Sequence, residues 1–229
     1  MTTSTTARKK GAGVHAATAA SRLRRERVLN QARRALILDA ARAAFFELGL
    51  DGASLREIAK RAGYTPGAIY SYFANLEEIY GALLGESLER LNAVVEAAGP
   101  DSSLPLDLLR VKARAFYTFY RDNPRELDLG FYLFDGMKPR GLTSELNLKL
   151  NERLMAALQP VQAQLSALGL GTEAAVSETT GVFAHIVGVL VLHNTGRIRL
   201  FEQNPDTLFE RYLDALSERL PLPPEPGSA

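Results

Sequence analysis

Cysteine is absent from the 229 residues, so the chain has no disulfide framework and no thiolate to bind metal or attack a substrate. Long apolar runs are absent too. The longest, Val182 to Leu192, is broken by His185 and Gly188, and a bilayer span needs about 20 apolar residues. The opening stretch, Met1 to Gly13, carries Lys9 and Lys10 with no apolar segment behind them, so it does not read as a secretion signal. A reducing cytoplasm and no membrane partner are the expectation. Glycine-rich phosphate loops, nucleophile elbows and zinc-spaced clusters are missing. His185 and His193 have no third ligand at suitable spacing, so they read as core or interface histidines and no metal or other cofactor is expected. Carboxylates are plentiful but scattered over helical solvent faces, which argues against an enzyme.

What is present is ordinary in amount and uneven in placement. Hydrophobic residues make up 46% and charged residues 23%, enough for a soluble protein with a sizeable core. The total net charge is +1, yet residues 1–34 hold nine Lys and Arg against Glu26 alone, leaving an acidic remainder. A basic head on an acidic body points to a polyanion at one end, or else to a solvated tail.

Hydrophobic period places the helices. Residues 1–20 show none and are expected to be disordered, as part of a basic arm over 1–30. Ile37, Ala40, Ala41, Ala44, Phe45 and Leu48 then mark one face of a helix that Gly49 stops. Leu55, Ile58, Ala59 and Ala62 repeat the pattern between the N-cap candidate Ser54 and Gly63. Thr65 and Pro66 open a third helix, predicted over 66–73, that turns Ile69 and Phe73 inward. Asn75 caps a fourth. Further helices are predicted near 75–98, 104–122, 124–134, 143–169, 172–196 and 204–220, with a proline-rich tail over 221–229. The segment from Phe131 to Arg140 includes a loop or hinge. The fold class is all-α: an N-terminal three-helix helix-turn-helix unit over 31–80, followed by a helical bundle over 81–220.

Two short helices joined at Gly63, with the small Ala59 between them, form the arrangement that seats a second helix in a major groove. From Ile37 to Ile79, including GASLREIAKRAGYTPGAIYSYFANLEEI, the chain resembles the DNA-binding head of the TetR family. The resemblance implies DNA contacts from Ser54, Arg56, Thr65, Pro66, Gly67, Ala68, Tyr70, Ser71 and Tyr72. Arg56 has the fork to pair with a guanine edge. Core packing is the alternative reading of Tyr70. Leu76 departs from the family, which usually has a phosphate-contacting Lys there. The arginines of 22–34 could compensate as an arm along a minor groove.

For the body, the resemblance implies a homodimer and a pocket for a small-molecule effector. The residues allow both. The helix near 172–196 is apolar almost all round, so it is either a dimer helix or a central core helix. Val187, Val191, Phe209, Tyr212 and Leu216 are the candidate interface. Phe116, Tyr117, Tyr120, Phe131, Phe134, Phe183 and His185 are the candidate pocket, with core packing as the alternative. The function implied is a ligand-responsive regulator, most simply a repressor, that binds a palindromic operator in double-stranded DNA and is released by a hydrophobic or aromatic effector. An architectural DNA binder and a helical adaptor are the competing readings.

Overall fold

Prolines and capping side chains set where most of the helices begin. The computed structural model describes residues 6–99, 104–131 and 142–220, with side chains throughout except at 6–20, 50, 51 and 131. Its helices are α1 (Thr6–Gly52), α2 (Leu55–Ala62), α3 (Pro66–Ile69), α4 (Leu76–Ala97), α5 (Pro105–Asp122), α6 (Pro124–Phe131), α7 (Ser144–Ala167), α8 (Thr172–Asn194) and α9 (Pro205–Arg219), with a 3-10 turn at Arg197–Phe201. Pro66, Pro105, Pro124 and Pro205 each open a helix, where the missing N–H costs nothing. No strand occurs among the described residues, and the fold is all-α. The chain forms two compact units, Met1–Tyr80 and Gly81–Ala229.

In the first unit, α1 is helical from Thr6, where composition suggested disorder over 1–20. The segment is rich in alanine and arginine, both strong helix formers, and it continues a helix already anchored further on. Residues 21–36 are exposed on every side. The anchor is Ile37, Leu38, Ala41, Ala44 and Phe45, all at most 2% exposed. Leu48, expected inward, is 45% exposed. The backbone kinks at the next residue, Gly49, with φ 70° and ψ 175°, and the helical face does not continue through it.

In the second unit, α5 packs against α7 and α8, and α8 against α7 and α9. Phe116, Tyr117 and Tyr120 of α5, Phe209 and Leu213 of α9, and Ile186 and Leu190 of α8 are all buried. Cations line the polar edge of α5. Arg114 grips Glu210 with two bonds of 2.7 Å, and Arg110 reaches Asp214 at 2.7 Å. α8 is long and apolar enough to cross a membrane by length and composition. In the folded chain Ala175, Val182, Ile186, Val189 and Leu190 on one side of it are core. The predicted tail, the loop beyond Phe131 and Phe134 itself lie outside the described residues.

Candidate nucleic-acid interface

The head is built from caps and one left-handed turn. The Glu57 N–H donates to Ser54 Oγ at 3.2 Å and fixes the start of α2. Gly63 ends it with φ 72° and ψ 27°, the left-handed region that favours glycine. The Tyr64 N–H then donates back to the Ala59 carbonyl at 2.8 Å, closing the turn. Thr65 repeats the capping, accepting from the Ala68 N–H at 3.3 Å. Ile58, Ala59 and Ile69 are fully buried and Phe73 is 1% exposed, so the two helices share one core with α1. Arg61 bonds to Glu57 and to Glu47 at 2.8 Å each, tying α2 back to α1.

The regular part of α3 is shorter than predicted, ending at Ile69 instead of Phe73. Beyond it the chain tightens into i→i+3 bonds, from Ser71 N–H to Ala68 and from Tyr72 N–H to Ile69. The Phe73 N–H still reaches Ile69 at 3.0 Å. One helical turn holding Gly67 and followed by three aromatic residues has little intrinsic drive to continue. Asn75 then caps α4. The Glu78 N–H donates to Asn75 Oδ1 at 2.8 Å, while the Glu78 carboxylate accepts from the Ala74 N–H at 2.6 Å.

This scaffold puts the nine residues named from sequence on the outside of the head. Ser54, Arg56, Thr65, Pro66, Gly67, Tyr70 and Ser71 are exposed, and Ala68 and Tyr72 are half-buried. Tyr70 is 58% exposed, which removes the core reading for it. The hydroxyl groups of Ser54 and Thr65 are committed as caps. Leu76 stands at the first position of α4, half-buried.

One pairing was not legible in the sequence. Arg33 of α1 adjoins the side chain of Tyr72, which favours its charged form, and the Arg34 guanidinium lies 4.6 Å from the centre of the Phe73 ring. Both arginines belong to a run that looked like a loose arm. Only the folded chain brings them to the residues that follow α3. The face thus gathers hydroxyls, small residues, Arg56, Lys60 and Arg33, as a surface meeting phosphates and base edges requires. Among the described residues no group of three side chains could hold a metal ion.

The body corrects part of the sequence reading. Phe209 and Leu216, expected between subunits, are 1% and 0% exposed within the single chain, so they have no surface left to offer a partner. The apolar pattern of α9 is satisfied by its own subunit. Val187, Val191 and Tyr212 are half-buried. Phe116 packs at 5.4 Å from Tyr120 and 5.9 Å from Phe183, and Tyr117 stacks on Phe209 at 4.2 Å. His185 stacks on Tyr212 at 4.1 Å, with burial lowering its pKa against a bond to the Leu208 backbone. These candidate pocket residues fill space against one another. A cavity of about 430 Å³ opens elsewhere on α5, lined by residues that include Val94, Ala98, Val111, Arg114, Phe119 and Asp122. Of the other candidates, the Phe131 side chain and Phe134 lie outside the described residues.

Exposed small and polar residues on a capped two-helix turn define a helix-turn-helix unit. Residues 37–83 match the family of bacterial regulatory proteins of the tetR type. Over 68 residues the chain is 40% identical to an HTH-type transcriptional repressor of Mycobacterium tuberculosis, a match covering 30% of this chain and 36% of that protein. It thus spans about a third of the length of that relative, all of it shared in one segment. Among solved structures, a tetR-family regulatory protein of Rhodococcus RHA1 superposes with a TM-score of 0.62 at 20% identity, covering 84% of this chain and 98% of that one. The transcriptional regulator FadR of Bacillus subtilis, solved in complex with stearoyl-CoA, superposes with a TM-score of 0.56 at 22% identity, covering 79% of this chain and 96% of that one. These two likenesses concern the fold. The likeness to the tetR family thus lies in the head, over residues 37–83, and the named relatives that share it are transcriptional regulators.

Proposed function

We propose that the protein is a sequence-specific, ligand-responsive transcriptional regulator of the cytoplasm, which binds a near-palindromic operator as a homodimer and represses until an effector releases it. The observation that carries this reading is the outward array of Arg56, Thr65 to Ala68, Tyr70, Ser71 and Tyr72, on a turn whose Ile58, Ala59, Ile69 and Phe73 are locked in the core. A helix presented in that way enters a major groove, and two such helices related by a two-fold axis read two half-sites.

The dimer is supported by what α8 leaves uncovered. Val176, Ala184 and Gly188 are exposed and Val187 and Val191 half-buried, at spacings that place them on one side of the helix. A second copy of this face would cover it. The effector is a small hydrophobic or aromatic molecule held in the body, in keeping with the cavity of about 430 Å³ lined in part by Val94, Val111 and Phe119. The FadR neighbour holds an acyl-CoA in the same fold. For the effector to act, it must bind the DNA-free state more tightly than the DNA-bound one.

Selection of bound fragments from genomic DNA tests the reading, run with the unaltered chain and with Arg56→Ala and Tyr72→Ala. A two-fold symmetric site that both substitutions weaken supports it. Uniform, salt-sensitive binding with no preferred site leaves an architectural DNA binder instead, and no binding leaves an adaptor.

A further inference from the structure

The helical extension of α1 is a charged surface that the reading of the head does not use. Between Ser21 and Leu36 every residue is exposed, including Leu23 at 56%, Val28 at 57% and Leu29 at 56%. This stretch carries Arg22, Arg24, Arg25, Arg27, Arg33 and Arg34 against Glu26. Over 21–34 the helix rises roughly 20 Å. It does not start at a random place on the head. Its C-terminal end lies against the residues that follow α3, where Arg34 sits over the Phe73 ring at 4.6 Å and Arg33 adjoins Tyr72.

Two geometric facts decide how such a segment meets a duplex. A helix with side chains is about 10–12 Å across, while a minor groove is about 6 Å wide. The arm therefore cannot lie in a minor groove, as an extended one would. The second fact is rotational. At about 100° per residue, Arg22 lies roughly 20° and Arg25 roughly 80° around the axis from Arg33, to one side, while Arg27 and Arg24 lie roughly 120° and 180° away, on the other.

We propose that the α1 extension is a second DNA-contacting element, lying along the phosphate backbone next to the recognition helix with its Arg22–Arg25–Arg33 face toward the duplex. The proposal rests on the reading of the head as DNA-binding. It supplies the phosphate contact that Leu76 does not make. Because phosphates carry no sequence information, the element strengthens binding to operator and non-operator DNA alike.

The test uses the full chain and two double variants of equal charge, Arg22→Gln with Arg25→Gln, and Arg24→Gln with Arg27→Gln. Glutamine keeps helix propensity, and the positions are exposed, so folding is not at stake. Binding to the selected operator and to an unrelated duplex of equal length is titrated over a salt series. The first variant lowers the slope of log K against log salt by about 2 per chain and weakens both duplexes by one common factor. The second changes the slope by less than half as much. Equal effects of the two variants would mean diffuse attraction and overturn the proposal, as would no effect of either. Loss of capture by phosphatidylserine vesicles with duplex binding intact would overturn it in favour of a membrane surface. If the unaltered chain prefers no duplex yet the first variant alone flattens the slope, the reading of the head fails while this element stands.

Discussion

The hydroxyl of Tyr117 donates to the Asp206 carboxylate at 2.8 Å, and Arg121 donates to the same oxygen at 3.0 Å. These residues stand 89 and 85 positions apart in the chain. They join α5 to the first turn of α9, where a carboxylate also favours the helix dipole. Tyr117 is 2% exposed, so its hydroxyl has little access to water in exchange. Tyr117→Phe removes one bond and lowers the unfolding free energy by about 1 kcal/mol. Asp206→Ala strands the hydroxyl and costs roughly 1–3 kcal/mol. Chemical denaturation of both variants checks the order. Equal losses would show that Tyr117 finds another partner.

Gly63 and Gly67 separate folding from binding. Gly63 has φ 72° and Gly67 does not have positive φ, and a Cβ at either would meet nothing within 4 Å. Gly63→Ala therefore costs backbone strain alone, roughly 1–2 kcal/mol. Gly67→Ala keeps or raises the stability of the head through helix propensity. It nonetheless lowers operator affinity, because a methyl stands where the backbone must approach DNA. Thermal unfolding beside a binding titration reads both. A Gly67→Ala protein with undiminished affinity would remove that position from the interface.

At the start of α4, Leu76→Lys places an ammonium where the family usually has one. The cation faces the positive end of the helix dipole, a cost of about 0.3–1 kcal/mol in stability. Affinity for duplex DNA rises, and the salt slope steepens by about 1 per chain. An unchanged slope would show that this position does not reach a phosphate here.

Acid sensitivity follows from His185. Burial holds its pKa below the ordinary 6.5, and its buried Nε2 has no hydrogen-bond partner. The unfolded chain takes up a proton at the ordinary value and the folded chain resists it. Stability is therefore complete above about pH 6.5 and falls as pH drops below it. Asp206 and Glu210 have lowered pKa values, so their contributions fade only at more acidic pH, from their ordinary 3.8 and 4.5 downward. Melting temperatures of His185→Phe, which keeps the stack on Tyr212, should change less between pH 7 and 5.5 than those of the unaltered chain. Parallel curves would assign the acid loss to other groups.

Most helix starts, the all-α class and the exposed face of the head were determined by the sequence itself. Ser54, Gly63, Thr65, Pro66 and Asn75 act on their own backbone neighbours, and that chemistry is written within four residues. Ile58, Ile69 and Phe73 turn inward for the same local reason, helical period. Tertiary structure alone decided the rest. Period marks an apolar face but not what covers it, so Phe209 and Leu216 could be placed between subunits until α5 and α8 were seen to bury them. The aromatic residues of α5 fill space against Phe183 and Phe209 because helices far apart in sequence converge there. Arg34 lies over Phe73 only in the folded chain, a contact that no spacing of residues along the sequence encodes.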